Sequence, residues 1–440
     1  MAEANAGLAA RAATLGILSA IMEDGQTMAV VLANKNGPLK GVGPQDRARA
    51  QRLALQVIRL LEPVDRLLEP HLRKAPPLAV MNILRLAVTE LHDGAAAHGV
   101  VNAAVELARQ GKRTTHMAGL INAVLRKVPE GAPLAGPAQR LPRWLRQPLV
   151  HAYGRDVVAA IETIQAKAPP LDITPRGQTL PEGSVLPTGS IRLAEPGQVS
   201  SLPGYASGDW WVQDAAAALA APLLAVKPGE KVLDLCAAPG GKTLQLAAAG
   251  AHVTALDMSA PRMEKLRENL TRTRLQAKLV VSDALHWQPD HLFDAVLLDA
   301  PCSATGTIRR HPELPFLKDG SELAELTALQ AALFDRALMF LKPGGRLVFC
   351  TCSLLPDEGE AQLEAALLRH PDLQVERPVL AGIDPAWITP AGGLRLRPDY
   401  WADLGGMDGF FMVKVSRGYG AVRAGTHPTS EACCPPVDTP

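Results

Sequence analysis

Aromatic residues make up only 4% of this 440-residue chain, which argues against a protein that binds single-stranded nucleic acid by stacking many bases. The six cysteines include no Cys-x-x-Cys pair and are too few for a disulfide framework, so we expect reduced thiols and no structural zinc site. No uncharged apolar run approaches the roughly 20 residues of a membrane span, and no secretory signal is evident. These absences predict a cytoplasmic protein.

Charge is distributed unevenly, although the formal net charge of the whole chain is only +1. Residues 1–150 contain 19 Lys and Arg against 11 Asp and Glu, a net charge of +8, whereas the remaining residues contain 26 against 33, a net charge of −7. An excess of positive charge in one part of a chain indicates contact with a polyanion. The alternative is a solvated helical surface that is rich in arginine.

The first 130 residues have the apolar spacing of helices, with hydrophobic residues at every third or fourth position and with glycine or proline between the segments. We expect an all-helical domain over residues 1–130, followed by a linker and a small mixed module over 131–213. The linker is Pro129–Pro142. The predicted helical segments are Arg11–Met22, Ala48–Leu61, Ala79–Leu91, Val101–Ala108, Met117–Leu125 and, within the module, Arg143–Ile164.

From residue 214 onward, short apolar runs alternate with amphipathic segments. This alternation is typical of a doubly wound α/β fold with a parallel sheet, which we expect over residues 214–416. We place Gly409–Val415 at the edge of that sheet, and we expect residues 417–440, with Cys433 and Cys434, to be a disordered tail without an assigned role. The other predicted strands are Lys231–Leu235, His252–Leu256, Lys278–Val281, Ala295–Leu298 and Arg346–Cys350, and the predicted helices are Thr243–Ala249, Arg262–Thr271 and Glu322–Phe340.

A glycine-rich segment joins the first of these strands to a helix, and it reads Asp234-Leu235-Cys236-Ala237-Ala238-Pro239-Gly240-Gly241-Lys242-Thr243. Its small residues allow a ligand to approach the backbone, and the following helix N-terminus favours a polar or anionic group. A nucleoside-triphosphate loop would require glycine at position 236, which is Cys236.

Asp257 ends the next predicted strand, where a carboxylate can accept hydrogen bonds from ribose hydroxyls. Taken alone, this residue could also be a helix N-cap. Together with the glycine-rich turn it indicates a cofactor that contains a nucleoside, either NAD or S-adenosylmethionine. The missing G-x-G-x-x-G pattern counts against NAD.

Two further acidic residues, Asp283 and Asp299, follow the third and fourth of these strands. Because the carboxyl ends of parallel strands meet at one edge of a sheet, we expect Asp234, Asp257, Asp283 and Asp299 to converge on one crevice. A single aspartate at a strand end is usually a cap, but four in one sheet indicate a site.

Cysteines follow the fourth and fifth of these strands. Cys302 and Cys352 should both open into the same crevice, where a thiol can act as a nucleophile if a positive charge or a base activates it. Strand alternation turns Cys350 away from Cys352, so we expect Cys350 to be a small buried hydrophobic residue.

These motifs resemble those of the RNA cytosine-5 methyltransferases. The resemblance implies a class I methyltransferase domain, doubly wound and Rossmann-like, preceded by an all-α NusB-like RNA-binding domain. It further implies S-adenosylmethionine as cofactor, RNA as partner, no metal, no membrane and a monomer. The similar segments are Trp211–Thr243, Asp299–Gly306 with Arg309–Pro312, and Thr351–Cys352–Ser353, and the NusB-like ones are Val101–Ala108 and Gly119–Arg126.

The resemblance also implies a role for each site residue. Cys352 is the nucleophile, Cys302 assists product release, and Asp299, if protonated, can hydrogen-bond to N3 of the cytosine. Asp257 holds the ribose of the cofactor and Asp283 contacts its adenine side. The remaining cofactor-binding residues are Cys236, Ala237, Ala238, Pro239, Gly240, Gly241, Lys242 and Asp299.

The chemistry of cytosine explains why two thiols are needed. C5 is a poor nucleophile, so a thiolate must add to C6 and push electron density onto C5, and a second group must then assist loss of the C5 proton and elimination. Enzymes that methylate exocyclic amines carry an aromatic residue at this strand end, whereas Asp299-Ala300-Pro301-Cys302 contains none. We therefore expect methylation of a carbon atom, C5 of cytosine. The resemblance implies that this cytosine lies in 16S ribosomal RNA outside the mature ribosome.

Three alternatives remain, namely the same chemistry on transfer RNA or another ribosomal RNA site, a non-catalytic RNA-binding or assembly factor, and a DNA methyltransferase. The chain also departs from the family, because Leu171-Asp172-Ile173-Thr174 stands where Leu-Arg-x-Asn is expected. The loss of that arginine concerns RNA placement. Near the thiols, Arg309, Arg310 and His311 are candidate phosphate contacts, with a solvated loop as the alternative.

Overall fold

The N-terminal part of the computed structural model is a bundle of helices. The model describes residues 7–129, 131–194 and 197–417, so the predicted tail with Cys433 and Cys434 lies outside the described residues apart from Arg417. The helices are α1 (Leu8–Met22), α2 (Met28–Ala33), α3 (Pro44–Arg59), α4 (Leu61–Leu68), α5 (Leu78–His92), α6 (Ala97–Gln110) and α7 (Ala118–Leu125). Their apolar faces pack into two adjoining clusters, one between α1 and α3 and the other among α4 to α7.

The periodicity located five of these helices and missed two. Helix α2 has six residues, too few for a repeating apolar pattern. Helix α4 begins at Leu61, the last residue of the predicted segment Ala48–Leu61. Only Leu60 leaves helical geometry between α3 and α4, so the apolar pattern does not mark a second helix.

Two helices and a small sheet follow the bundle. The helices are α8 (Arg143–Tyr153) and α9 (Arg155–Gln165), so the prediction of one helix over Arg143–Ile164 is wrong. Gly154 separates them because its φ of 86° takes the chain out of the helical region. The sheet is antiparallel with the order β2-β3-β1-β4, and its strands are β1 (Leu171–Pro175), β2 (Ser184–Val185), β3 (Ile191–Leu193) and β4 (Trp210–Val212).

The remainder of the described chain is a doubly wound α/β domain. Its sheet has the order β10-β12-β9-β8-β5-β6-β7, with β11 paired to β12. The strands are β5 (Lys231–Leu235), β6 (His252–Asp257), β7 (Lys278–Val281), β8 (Phe293–Asp299), β9 (Leu341–Thr351), β10 (Leu373–Glu376), β11 (Leu394–Leu396) and β12 (Phe410–Arg417). The helices are α10 (Ala220–Leu224), α11 (Gly241–Ala248), α12 (Ala260–Thr273), α13 (Leu314–Leu317), α14 (Leu323–Met339) and α15 (Glu360–Arg369).

The sheet is mixed rather than wholly parallel, which corrects the expectation for its last strand. Strands β5 to β9 run parallel to one another, but β12 is antiparallel to β9, β10 and β11. Gly409–Val415 was expected at the edge, yet β12 lies between β9 and β10. The reason is its composition, because Phe410–Val413 are buried and need cover on both faces of the sheet.

Helices cover both faces of this sheet and leave its carboxyl edge for the connecting loops. Side chains of α14 and α15 pack on one face, and α10 packs on the other. The loops after β5, β6, β8 and β9 therefore emerge at one edge, where a doubly wound fold binds its ligands.

Candidate active site

Two thiols from neighbouring strands meet at the carboxyl edge of the sheet. Cys302 lies three residues after the end of β8, and Cys352 directly follows β9. Because these strands are paired and parallel, both ends reach the same edge. The two Sγ atoms are 3.4 Å apart, and both side chains are partly exposed. The structure thus brings together two residues that are 50 positions apart in the chain.

The surroundings of Cys302 and of Cys350 raise the pKa of both thiols. The hydrogen bond with Cys352, and then burial, raise the pKa of Cys302 well above its usual value, so Cys302 keeps its proton at neutral pH. Cys350 is fully buried, as expected, and burial raises its pKa too. Its thiol donates a hydrogen bond to Oδ1 of Asp299 over 3.5 Å, so Cys350 helps to hold the Asp299 carboxylate in place.

An ion pair lies beside the thiols. Lys242 Nζ is 2.7 Å from Oδ2 of Asp299, and the lysine side chain is only 10% exposed. The same Nζ atom lies 5.2 Å from the ring centroid of Phe410 at the start of β12. Burial lowers the pKa of Lys242, but the charge of Asp299, its hydrogen bond to the lysine and the neighbouring cysteines together outweigh burial and leave the net pKa above its usual value. A fixed positive charge therefore stands at the end of β8.

The glycine-rich loop after β5 is held against the end of β6. Ala237 donates its N–H to Leu256 O over 3.0 Å, and Ala238 donates its N–H to Oδ2 of Asp257 over 3.1 Å. Gly240 has a φ of 107°, and a Cβ at this position would lie 2.1 Å from a side-chain carbon of Leu266 on α12. Small residues here allow α11 to start directly behind the loop.

Asp234 does not line the crevice, which corrects the expectation of four converging carboxylates. Its side chain is fully buried beneath α11, where Oδ2 accepts a 2.5 Å hydrogen bond from Thr243. Burial raises its pKa to about 7. Oδ1 has no hydrogen-bond partner among the described residues. The cradle that fits a cofactor such as S-adenosylmethionine is therefore the glycine-rich loop itself, where Gly240 leaves no room for a Cβ.

Asp283 is placed beside Asp257 but its carboxylate is engaged locally. Ser282, after β7, donates its N–H to Asp257 O over 3.2 Å, so the two strand ends adjoin. The carboxylate of Asp283 accepts from Leu285 N at 2.9 Å and contacts His286 at 2.8 Å. These hydrogen bonds lower the pKa of Asp283. This aspartate forms a turn at the rim of the site.

Arg309 is not available to RNA, contrary to expectation. Its side chain is 1% exposed, it forms an ion pair with Asp214, and it contacts Oδ1 of Asp408 at 2.9 Å. Arg310 is also paired with Asp408, over 2.5 Å. Burial, and then the charge of Arg310, lower the pKa of His311 to about 4, so this ring is neutral at pH 7. The ion pairs of the two arginines with Asp214 and Asp408 hold the loop after Cys302 in place.

The helical bundle and α8 contact the segments that follow the two thiols. Arg59 at the end of α3 donates to Arg309 O over 2.9 Å, and Trp144 on α8 donates to Pro315 O over 3.2 Å. Tyr153 donates its hydroxyl to Leu354 O over 2.6 Å, two residues after Cys352. The N-terminal part of the chain therefore buttresses the loops of the site.

The departure at Asp172 has a local explanation. Asp172 on β1 lies opposite Arg192 on β3, and their side chains form two hydrogen bonds of 2.7 Å in a buried pair. Asp172 also accepts from Ala215 N over 3.1 Å. An arginine is thus present here, but it comes from the neighbouring strand and ties the small sheet to the α/β domain.

Sequence reasoning missed the pairing of Lys242 and the place of Phe410, because neither has a local signal. Among the described residues, no group of three or more His, Cys, Asp or Glu side chains is arranged to hold a metal ion. Within the same part of the chain, no helix combines the length and apolar character that a bilayer crossing needs.

Comparison with known proteins supplies the family. Residues 221–416 match the model described as 16S rRNA methyltransferase RsmB/F, and residues 8–130 match the NusB family. The ribosomal RNA small subunit methyltransferase B of Cronobacter sakazakii is 34% identical over 430 residues, covering 90% of this chain and 95% of that protein. The protein of the same name from Xanthomonas campestris is 35% identical, covering 85% and 91%.

Solved structures agree with the fold. The crystal structure of PH0851 superposes with a TM-score of 0.70 at 22% identity and covers 92% of this chain and 99% of that one. A methyltransferase homolog from Pyrococcus horikoshii has a TM-score of 0.52 at 28% identity and covers 62% and 93%. The predicted fold class and the predicted S-adenosylmethionine dependence are confirmed at the level of the family. The chain belongs to the ribosomal RNA small subunit methyltransferase B family.

Proposed function

We propose that this protein methylates C5 of a cytosine in 16S ribosomal RNA through a covalent adduct with Cys352. One observation carries the proposal, namely the 3.4 Å separation of Cys302 and Cys352 Sγ beside the Lys242–Asp299 ion pair. A methyltransferase that acts on a nitrogen or oxygen atom has no need for two adjacent thiols, because those atoms carry lone pairs. Carbon C5 needs prior activation by a nucleophile at C6.

The two thiols have complementary roles in this reaction. Cys302 can donate a hydrogen bond to Cys352 Sγ over the 3.4 Å contact, and Cys352 is the sulfur that attacks as a thiolate. The thiolate forms a bond to C6 and thereby moves electron density onto C5. After methylation, the C5 proton leaves to a base that Cys302 positions, because Cys302 itself carries a proton. The C6–S bond then breaks and returns the electron pair to Cys352.

Lys242 and Asp299 provide charge at the same place. Asp299 at the end of β8 can meet the polar edge of a cytosine, and Lys242 holds that carboxylate in position through the 2.7 Å contact.

The residues of the glycine-rich loop, Cys236 to Lys242, would hold S-adenosylmethionine together with Asp257 and Asp283. When bound, this cofactor supplies an electrophilic methyl group. The turn at Gly240, which leaves no room for a Cβ, and the paired ends of β6 and β7 support this placement.

The helical domain would bind RNA through phosphates. Exposed cations lie at and just after the carboxyl ends of α6 and α7, in keeping with the excess positive charge of residues 1–150. The target cytosine would be extruded into the crevice, since C6 is not accessible to a thiolate within a stacked helix. The exposed cations are Arg109, Lys112, Arg113, Arg126 and Lys127.

We propose a monomer that uses no metal and acts in the cytoplasm on RNA outside the mature ribosome.

Two cysteine variants test the mechanism. Cys352→Ala should abolish both methylation and adduct formation, whereas Cys302→Ala should form the adduct but break it down slowly, which traps a protein–RNA species on denaturing gels. Normal methylation by Cys352→Ala would contradict the proposal. Bisulfite sequencing of ribosomal and transfer RNA from a deletion strain would locate the target, and a lost modification in transfer RNA would favour the alternative substrate.

A further inference from the structure

A buried carboxylate that plays no part in the reaction lies behind the two thiols. Glu358 follows β9 by seven residues and is fully buried. Among the described residues it forms no ion pair, so its charge is met by hydrogen bonds alone. Oε1 accepts from Ser303 N at 2.8 Å and from Gln330 Nε2 at 3.0 Å, and Oε2 accepts from Ser353 Oγ at 2.6 Å and from Ser303 Oγ.

The donors to this carboxylate belong to both cysteine loops. Ser303 directly follows Cys302, and Ser353 directly follows Cys352. Their hydroxyl oxygens are also 3.2 Å from each other. One side chain therefore joins two loops that are 50 residues apart, at the position next to each thiol.

The residues that precede the two cysteines are tied to the same place. Gln330 on α14, which donates to Glu358, donates over 2.9 Å to the carbonyl oxygen of Pro301. The hydroxyl of Thr351 donates over 2.8 Å to the backbone carbonyl of Glu358. Each thiol is thus held from both sides by hydrogen bonds that lead to a single residue.

We propose that Glu358 is a positioning residue that sets the separation of the Cys302 and Cys352 thiols. The inference rests on the two-thiol function proposed above. Glu358 is buried, so it touches neither RNA nor cofactor and acts only through Ser303 and Ser353. A misplacement of about 1 Å in reacting groups can lower a rate by about 100-fold. Without the carboxylate, the serine next to each thiol would keep only hydroxyl contacts across the two loops, those of Ser303 and Thr305 with Ser353.

The matched variants at position 358 separate hydrogen bonding from charge. Glu358→Gln keeps the shape and can keep all four contacts. Its amide oxygen can accept from Ser303 N and Gln330, while its NH₂ group can donate to the two serine hydroxyls, which can also act as acceptors. Glu358→Ala removes all four and leaves the contact of Thr351 with the backbone carbonyl. Glu364→Gln is the control, because Glu364 is an exposed carboxylate on α15, the helix that begins two residues after Glu358.

The experiment measures single-turnover methylation of 16S RNA, the KM for RNA, the dissociation constant of S-adenosylmethionine and the melting temperature for each full-length variant. We expect Glu358→Ala to lower kcat about 100-fold without changing either binding constant, and Glu358→Gln to stay within about fivefold of the control. If Glu358→Ala does not fold, Ser353→Ala takes its place, with an expected loss of about tenfold in kcat.

Two results would overturn the inference. The first is a folded Glu358→Ala, or Ser353→Ala in its place, with the kcat of the control. The second is an equal loss in Glu358→Ala and Glu358→Gln, which would assign the effect to charge. Adduct formation by Cys302→Ala with Glu358 intact tests the proposed function separately. If that variant forms no adduct, the function fails, whereas if it does form one and Glu358→Ala is fully active, only the positioning role fails.

Discussion

Arg309 offers a strong test of whether the loop after Cys302 is held by buried charge or contacts RNA. Its guanidinium is 1% exposed and lies between the carboxylates of Asp214 and Asp408, of which Asp214 precedes the first strand of the α/β domain and Asp408 precedes the last. Arg309→Ala would leave two buried carboxylates with only Arg310 as a cation. Removing one partner of a buried ion pair costs about 3–5 kcal/mol.

That free energy converts into a large thermal shift. For a cooperative unit of about 200 residues, 1 kcal/mol corresponds to roughly 2–4 °C, so we expect the melting temperature of Arg309→Ala to fall by about 6–20 °C. Circular dichroism melts of the full-length protein would measure it. Arg417→Ala is the matched control, because Arg417 forms an exposed pair with Asp372, and such pairs contribute about 0–1 kcal/mol.

RNA binding by the same variants distinguishes the two roles. A phosphate contact would reduce the slope of log affinity against log salt by about 1, whereas a structural pair leaves this slope unchanged when binding is measured well below the melting temperature. A melting temperature equal to that of Arg417→Ala, together with a reduced salt slope, would refute the reasoning from burial.

Two further predictions concern the site and its pH dependence. Lys242→Met removes the cation paired with Asp299, so we expect single-turnover methylation to slow by roughly 100-fold or more, and a rate equal to that of the parent would contradict a role for this pair. Burial, and then Arg310 and Arg59, lower the pKa of His311 to about 4, whereas in the unfolded chain it returns to about 6.5. The unfolded state binds more protons between these values, so the protein loses stability as the pH falls from about 6.5 to 4. The melting temperature of His311→Gln should fall less over this range, and parallel melting curves for the two proteins would exclude the explanation.

The position of the thiols was predictable because it depends on local features. Apolar runs locate the strands β8 and β9, and the carboxyl ends of parallel neighbours must share an edge. Cys302 and Cys352 follow these ends in the sequence, so their convergence needed no knowledge of side-chain packing. The same reasoning placed β5 and β7 with their observed bounds.

The same rule failed where a side chain's direction mattered. Asp234 lies one residue before the end of β5, and its side chain points beneath α11 instead of into the crevice. Strand β12 was assigned to an edge, although its burial on both faces requires an interior place. A strand's neighbours depend on which surfaces need cover, and that is a property of the assembled sheet.

The sequence by itself determined the helical bundle, the location of most parallel strands along the chain, the glycine-rich turn and the two thiols at one edge, because these follow from periodicity and from residues close together in the chain. Only the tertiary structure decided that Arg309 is buried, that Lys242 pairs with Asp299 and that Glu358 joins both cysteine loops. Their partners are about 55 to 100 residues away in the chain. A charged side chain becomes a surface contact or a buried tie according to which distant segments fold against it, and no local pattern carries that information.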